Sequence, residues 1–208
     1  MASYDVITFD CYGTLIDWES GIRSAFESIG IKGSSALRAY GEIEPVVERQ
    51  AYRSYREVLR ETASRIAPGV KANFLAESLP SWKPFADTNP ALERLRRAGI
   101  RLGILSNVDD DLIAATRKHF TVDFDVIVTA QQVRSYKPGH AHFVEARKRI
   151  GNSPWLHAAQ SNVHDIVPAN ELGIPNAWIN RHRESARPGG TPMYEFANLT
   201  QLADAMAG

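Results

Sequence analysis

Tyr4-Asp5-Val6-Ile7-Thr8-Phe9-Asp10-Cys11-Tyr12-Gly13-Thr14-Leu15 decides the fold. Val, Ile and Phe crowd into a run too short for an ordinary helix, which predicts a buried strand of a parallel sheet. The run ends at a carboxylate. Gly13 reaches backbone conformations closed to other residues, so the chain can turn sharply just beyond. Asp10 then stands at the carboxyl end of a strand, where open α/β sheets hold their active sites. An Asp there also suits a plain turn cap. The two readings separate on whether other strand ends bring polar groups to the same edge.

Beyond Leu15, apolar residues recur at helical spacing. Ile22, Ala25, Phe26 and Ile29 predict a helix with Asp17 as N-cap and Gly30 as its stop. Gly33-Ser34-Ser35 reads as a turn. A long helical stretch follows, broken or kinked near Gly41 and Pro45. Val47, Ala51, Tyr55, Val58, Leu59, Thr62 and Ile66 then make one stripe, ended by Pro68-Gly69, with a short helix expected over residues 72–79. Residues 16–83 thus contain no strand. Such a block directly after the first strand reads as an inserted all-helical cap subdomain. It is larger than an ordinary βαβ crossover, although a crossover helix pair packed on the sheet is the plainer alternative.

After Pro84, strands and helices alternate. Strands are expected over residues 101–107, 124–129, 155–161 and 176–180. Helices are expected over 91–98, from Asp109 or Asp110 onward, and over 140–150, 164–172 and 199–206. Repeated β-α units define the α/β class: a Rossmann-like, doubly wound parallel sheet with right-handed crossovers. The core domain is residues 1–15 and 84–208, and the helical cap domain is residues 16–83.

A length of 208 residues with 44% apolar and 23% charged residues is ordinary for a globular chain of one large domain or a core with an insert. Lys plus Arg (24) balances Asp plus Glu (24), so net charge gives no pointer to nucleic acid or an anionic membrane. Cys11 is the single cysteine; it excludes an intrachain disulfide and reads as a small buried residue. No apolar run approaches ~18 residues and no signal segment is evident, which makes a cytoplasmic location the expectation.

The polar residues collect at strand ends. Asp10 and Thr14 follow the first strand, Ser106-Asn107 the second, Lys137 the third, and Ser161-Asn162 with Asp165 the fourth. A carboxylate beside a fixed ammonium stays ionised and can act as a nucleophile. Hydroxyls, amides and backbone N–H groups can hold developing negative charge. Each residue alone also suits a bland role: Ser106-Asn107 as a helix cap, Lys137 as a solvated surface lysine. Four such coincidences at four successive strand ends make the shared site the better reading.

Asp10-Cys11-Tyr12-Gly13-Thr14-Leu15, Leu105-Ser106-Asn107, Tyr136-Lys137-Pro138 and Ser161-Asn162-Val163-His164-Asp165 resemble, in order, the four motifs of the haloacid dehalogenase superfamily. Trp178-Ile179-Asn180-Arg181 also resembles the fifth strand of its type II L-2-haloacid dehalogenase branch. The resemblance implies Asp10 as nucleophile, Thr14 and Ser106 as its hydrogen-bonding supports, and Lys137 as its charge partner. It implies that Asn162 and Asp165 order Lys137 and the hydrolytic water. Tyr12, Asn107, Ser161, Asn162 and His164 are expected on the substrate side.

Tyr12 distinguishes chemistries within that superfamily. Phosphatases of similar sequence carry a second Asp two places after the nucleophile, which protonates an alkoxide leaving group. A phenol of pKa about 10 is a poor acid for that role, whereas halide leaves without a proton. The fourth motif offers Gln160, Ser161 and Asn162 with Asp165 as its one carboxylate, a meagre set for magnesium. The expectation is therefore a hydrolase that displaces halide from a small 2-haloalkanoic acid through an aspartyl ester, with no metal and no cofactor. A magnesium-dependent phosphatase and a non-catalytic binding protein on the same fold are the alternatives. The expected partner is a small anionic molecule, with no nucleic acid or membrane; a homodimer stays open. Several positions depart from the branch. No cap arginine can be assigned near Glu44, Val46 and Val47, with Arg49 and Arg53 further along; Phe143 stands for a usual Tyr, Gln160 for a Ser and His164 for a Trp.

Overall fold

The computed structural model describes residues 3–208. Its centre is a six-stranded parallel sheet, in the order β3-β2-β1-β4-β5-β6. The strands are β1 (Val6–Phe9), β2 (Arg101–Ser106), β3 (Val126–Thr129), β4 (Trp155–Ala159), β5 (Asn176–Ile179) and β6 (Tyr194–Phe196). This is the α/β, doubly wound, Rossmann-like architecture. β1 lies between β2 and β4, and all four of its residues are buried. That is why it reads as a continuous apolar run and not an alternating one.

Side chains nevertheless alternate between two cores. Ile7 and Phe9 point to one face with Leu102, Ile104, Leu156 and Ala158, under α5 (Thr88–Arg97) and α10 (Leu199–Met206). Val6 faces the other way with Leu105, Val128 and Trp155, under α8 (Ala141–Ile150) and α9 (Val167–Glu171). Two further helices, α6 (Asp110–Thr116) and the short α7 (Ala130–Val133), follow β2 and β3.

Between β1 and α5 the chain is helical: α1 (Trp18–Glu27), α2 (Gly33–Glu48), α3 (Tyr55–Ile66) and α4 (Phe74–Ser78). Its exit and return are side by side. Ile16 bridges Pro84, the Asp17 N–H donates to the Lys83 carbonyl at 2.9 Å, and the Phe85 N–H donates to the Leu15 carbonyl at 3.1 Å. Ile22, Phe26, Leu59, Leu75 and Trp82 of this segment belong to the same apolar cluster as Ile7 and Phe9. No helix among the described residues is long and apolar enough to cross a membrane.

Three local expectations are corrected. Gly33-Ser34-Ser35 is the first turn of α2, not a loop. A Cβ on Gly33 would sit 2.5 Å from Glu27 Oε1 and 3.0 Å from Arg23 Cβ, so the glycine serves close packing on α1. α2 runs through Gly41 and Pro45 to Glu48. The stripe over residues 47–66 is then interrupted: the chain leaves the helix after Glu48 and α3 restarts at Tyr55, under a capping box in which Ser54 and Glu57 bond reciprocally. The fifth predicted strand has a neighbour the periodicity did not indicate, the edge strand β6.

Candidate active site

β1 delivers Asp10 to the carboxyl edge of the sheet, where Gly13, at φ +101°, lets the chain fold back on itself. A Cβ there would crowd Gln160 Oε1 and Trp18 Nε1, both at 3.2 Å. In the returning turn, the Thr14 hydroxyl donates to Asp10 Oδ2 at 3.0 Å and accepts the Gln160 N–H at 2.9 Å, tying the first motif to the fourth. Arg181, lying over the Phe85 ring, donates to the Thr14 carbonyl at 2.9 Å, and the Trp178 indole donates to the Gln160 carbonyl at 2.7 Å.

Lys137 is fully buried at the centre of this edge. Its ammonium donates to Asp10 Oδ1 at 2.9 Å, Asp165 Oδ1 at 2.6 Å and the Leu105 carbonyl at 2.8 Å, which uses all three protons. Its backbone is held by Asn107, whose Oδ1 accepts the Lys137 N–H at 2.7 Å and whose Nδ2 donates to the Lys137 carbonyl at 3.0 Å. Asp165 comes from a π-helical turn, Asn162–Ile166, started by Ser161, whose hydroxyl accepts the His164 N–H at 3.1 Å. Such single-turn π segments are frequent at functional sites.

Behind Asp165 a polar chain runs along one face of β1 and β4. The Trp155 indole donates to Thr8 Oγ1 at 2.8 Å, Thr8 Oγ1 lies 2.8 Å from His157 Nδ1, and His157 Nε2 lies 2.9 Å from Asp165 Oδ1. His157 thus links Thr8 to Asp165, with its Nε2–H assigned from these partners as the donor to the carboxylate.

One ammonium between two carboxylates divides its effect unequally. Burial pushes Asp165 up, but Lys137 and the His157 hydrogen bond outweigh it and hold the group well below the usual carboxylate range. Burial pushes Asp10 up as well, with the Asp165 charge adding to it, against the lowering by Lys137 and Thr14. Lys137 itself is pushed down by burial and up, more strongly, by the two carboxylates, to about 12. The ammonium is therefore permanent, and Asp10 is the more basic of the two carboxylates. A nucleophile benefits from that basicity.

The edge opens into a cavity of about 330 Å³. Asp10, Lys137, Asp165, Ser106, Ser161 and His164 line it from the sheet side, together with Tyr12, Asn107 and Gln160. Ser106 is buried at the end of β2, but its Oγ makes no hydrogen bond, so the expected support of Asp10 by Ser106 is not formed; Asp165 Oδ2 also has no partner. Tyr12 bonds sideways, its hydroxyl 2.8 Å from Thr116 Oγ1, and burial pushes the phenol well above its ordinary value. Burial lowers His164, which keeps it neutral. Asn162 is placed elsewhere. Its Nδ2 donates to the Gly190 carbonyl at 2.8 Å and its Oδ1 accepts the Arg187 N–H at 3.0 Å, so it anchors the 187–190 loop and does not reach Lys137. Cys11 is buried, and burial pushes its thiol up.

The helical segment supplies residues that the motifs did not indicate. Trp18, Tyr40, Glu44, Glu48, Tyr55 and Trp82 complete the cavity. His157 was also missed. A lone histidine inside the apolar strand Trp155-Leu156-His157-Ala158-Ala159 was the available signal, since a buried imidazole requires partners. The Ser54-x-x-Glu57 capping box likewise marked the start of α3 and thus the position of Tyr55. Among the described residues, no group of three or more His, Cys, Asp or Glu side chains is arranged to hold a metal ion.

Residues 4–156 match the family model of haloacid dehalogenase-like hydrolases. An (S)-2-haloacid dehalogenase of Pseudomonas putida is 28% identical over 220 residues, covering 98% of this chain and 97% of that protein. The (S)-2-haloacid dehalogenase of Pseudomonas fluorescens is 29% identical, covering 94% of this chain and 93% of its own. A crystal structure of an L-2-haloacid dehalogenase superposes with a TM-score of 0.87 at 23% identity, covering both chains in full. The motif geometry and the extent of these matches agree: the chain belongs to the haloacid dehalogenase-like hydrolase family.

Proposed function

We propose that the chain is a 2-haloacid dehalogenase that replaces the halogen of a small 2-haloalkanoic acid by hydroxyl. The observation that carries this reading is a basic, buried carboxylate, Asp10, oriented by Thr14 and Lys137, with Tyr12 where a proton donor to an oxygen leaving group would be required. A full-length likeness to two (S)-2-haloacid dehalogenases supports it.

In the first step a carboxylate oxygen of Asp10 attacks C2, the carbon–halogen bond breaks with its electron pair, and halide leaves. Lys137 keeps Asp10 ionised before attack. In the second step water adds to the ester carbonyl and the C–O bond to Asp10 breaks, giving the 2-hydroxy acid and a proton. Asp165 lines the cavity and its Oδ2 has no partner, which supports it as the acceptor for that water. Ser106 Oγ, also without a partner, donates to an oxygen of the bound molecule in this reading. No step calls for a metal: the buried ammonium supplies the positive charge Asp10 needs, and a divalent cation would compete with it.

Residues 16–83 act as a cap in this reading. The paired crossing at Ile16 and Pro84 supports it, as does the aromatic wall that Trp18, Tyr40, Tyr55 and Trp82 set over the reacting edge. Closing such a wall excludes bulk water and strengthens the charge interactions beneath it.

The test measures halide from a panel of 2-haloacids and phosphate from a panel of monoesters, each with chelator and with millimolar magnesium. Halide release that persists in chelator is the expected result. Phosphate release that requires magnesium, with no halide from any haloacid, would replace this reading by the phosphatase one.

A further inference from the structure

The cavity has a charge problem. Among its described lining residues, Lys137 is the one permanent cation, and its three protons are committed to Asp10, Asp165 and the Leu105 carbonyl. Four carboxyl groups line the same space: Asp10, Asp165, Glu44 and Glu48. With all four ionised, the wall carries an excess of three negative charges, and a substrate carboxylate would enter against all of them.

α2 sets Glu44 and Glu48 one helical turn apart on the face that meets the cavity. Each accepts a single neutral donor through Oε1. Glu44 accepts the Tyr55 hydroxyl at 3.1 Å, and Glu48 accepts the Asn107 amide at 3.2 Å. Among the described residues, the second oxygen of each has no hydrogen-bond partner and is free to carry a proton. Burial pushes Glu44 up to about 7, and burial with the Glu44 charge pushes Glu48 up to about 8.

The other groups around the pair do not change charge near neutrality. Tyr55 on α3, Tyr40 on α2 and Tyr136 beside Lys137 are all raised by burial and stay neutral phenols. His164 on the π turn is lowered by burial and stays a neutral imidazole. Asp10 and Asp165 line the same cavity from the sheet edge, while Lys137 and the neighbouring Arg49 lower Glu48. A separate observation points to an oxygen-bearing ligand in the same space: Ser106 Oγ is fully buried, lines the cavity and has no partner.

We propose that Glu44 and Glu48, in their protonated forms, recognise the carboxylate of the substrate by donating O–H hydrogen bonds, so that an anion enters this pocket together with a proton. The identity of the anion rests on the dehalogenase reading; the proton coupling does not. Binding an anion beside the pair raises both carboxyl groups further. Affinity is therefore highest below the free-pocket values and falls as pH rises through them.

The experiment uses the intact protein with propanoate, which cannot react, and calorimetry in buffers of different ionisation enthalpy from about pH 6 to 9. The expected result is proton uptake on binding, and a Kd that weakens toward about tenfold per pH unit between about pH 7 and 8 and toward about a hundredfold per unit above about pH 8, where both carboxyl groups must regain a proton. Glu48→Gln keeps an N–H donor but cannot titrate, so it should cut the slope to about tenfold per pH unit, the share of Glu44, while still binding propanoate. Binding without proton uptake, a slope undiminished in both Glu48→Gln and Glu44→Gln, or no binding at pH 6 would overturn the proposal. So would ethylammonium binding that tightens as pH rises, because the pair would then act as an ionised cation site. Halide release is scored separately. Propanoate bound with proton uptake, but no halide from any haloacid, sinks the dehalogenase reading and leaves this one. Halide release with a KM independent of pH does the reverse.

Discussion

At the sheet edge every charge has a charged or hydrogen-bonding partner at close range. Asp10 is held by Thr14 and Lys137, Lys137 by two carboxylates and a carbonyl, and Asp165 by Lys137 and His157. Across the cavity, on the helical segment, Glu44 and Glu48 each meet one neutral donor. Both regions hold carboxyl groups away from bulk water, yet the outcomes differ: Asp10 and the two glutamates are raised, whereas Asp165 is lowered. Beside a fixed ammonium, Asp165 is locked as an anion. Without one, the glutamates are pushed into the neutral range. Burial sets the penalty for charge, and the partner decides whether the group meets it or takes up a proton. The sheet edge thus suits chemistry that needs one fixed charge state, and the helical side suits recognition that can change state.

Breaking the sheet-edge arrangement should have the largest effects. Asp10→Asn replaces the proposed nucleophile by an amide of nearly the same shape, and halide release should fall by at least about four orders of magnitude. Single turnover of the native protein in heavy-oxygen water should put label into Asp10 before product; label appearing directly in product would defeat the ester route. Lys137→Ala leaves Asp10 and Asp165 buried and facing each other without a counter-charge. It should cost about 3–5 kcal/mol in denaturant unfolding and, independently, about 10²–10³-fold in turnover. A variant of unchanged stability would show that the two carboxylates relax apart.

The joint between the two regions is a smaller lever. Asp109, buried after β2, accepts the N–H groups of Tyr55 and Arg56 at 2.9 Å each, capping α3 from the sheet side. Asp109→Ala should cost about 1–3 kcal/mol. Hydrogen exchange should speed up at the first turn of α3 while β1 keeps its protection; uniform loss across both would mean that they unfold as one unit. The exposed Arg56–Asp111 pair crosses the same joint at 2.5 Å. Arg56→Ala should shift stability by no more than about 1 kcal/mol, less at high salt, since water screens an exposed pair.

The same contrast explains what the sequence revealed. Residues of the sheet edge announce themselves because backbone geometry demands them locally: a carboxylate at the end of an apolar run, a glycine at positive φ, a Lys-Pro pair after a strand. β1, β2, β4 and β5 were legible because strands buried on both faces are almost wholly apolar. β6 was not, since its residues Tyr194, Glu195 and Phe196 form a half-covered edge of only one short ladder. On the helical side, no local rule singles out Glu48 or Tyr40. Their importance comes from which way α2 faces, a tertiary fact. Asn162 shows the converse. A motif position alone placed it beside Lys137, whereas a close fit to Gly190, where a Cβ would fall 1.9 Å from Asn162 Oδ1, turns it to the neighbouring loop.

The paired crossing at Ile16 and Pro84 has a consequence for how this chain could be rearranged. Because the outgoing and returning backbones are bonded neighbours, a tight turn of a few residues could join them with little loop-closure entropy. In topology, residues 17–83 are an attachment hung from a single point on the rim of the sheet, and segments of very different length could hang from the same point without disturbing strand order. In packing they are not detachable, for Ile22, Phe26 and Leu59 share one apolar cluster with Ile7 and Phe9. A chain shortened at this point would keep its connectivity and lose its cover, so any replacement must bring apolar surface of its own.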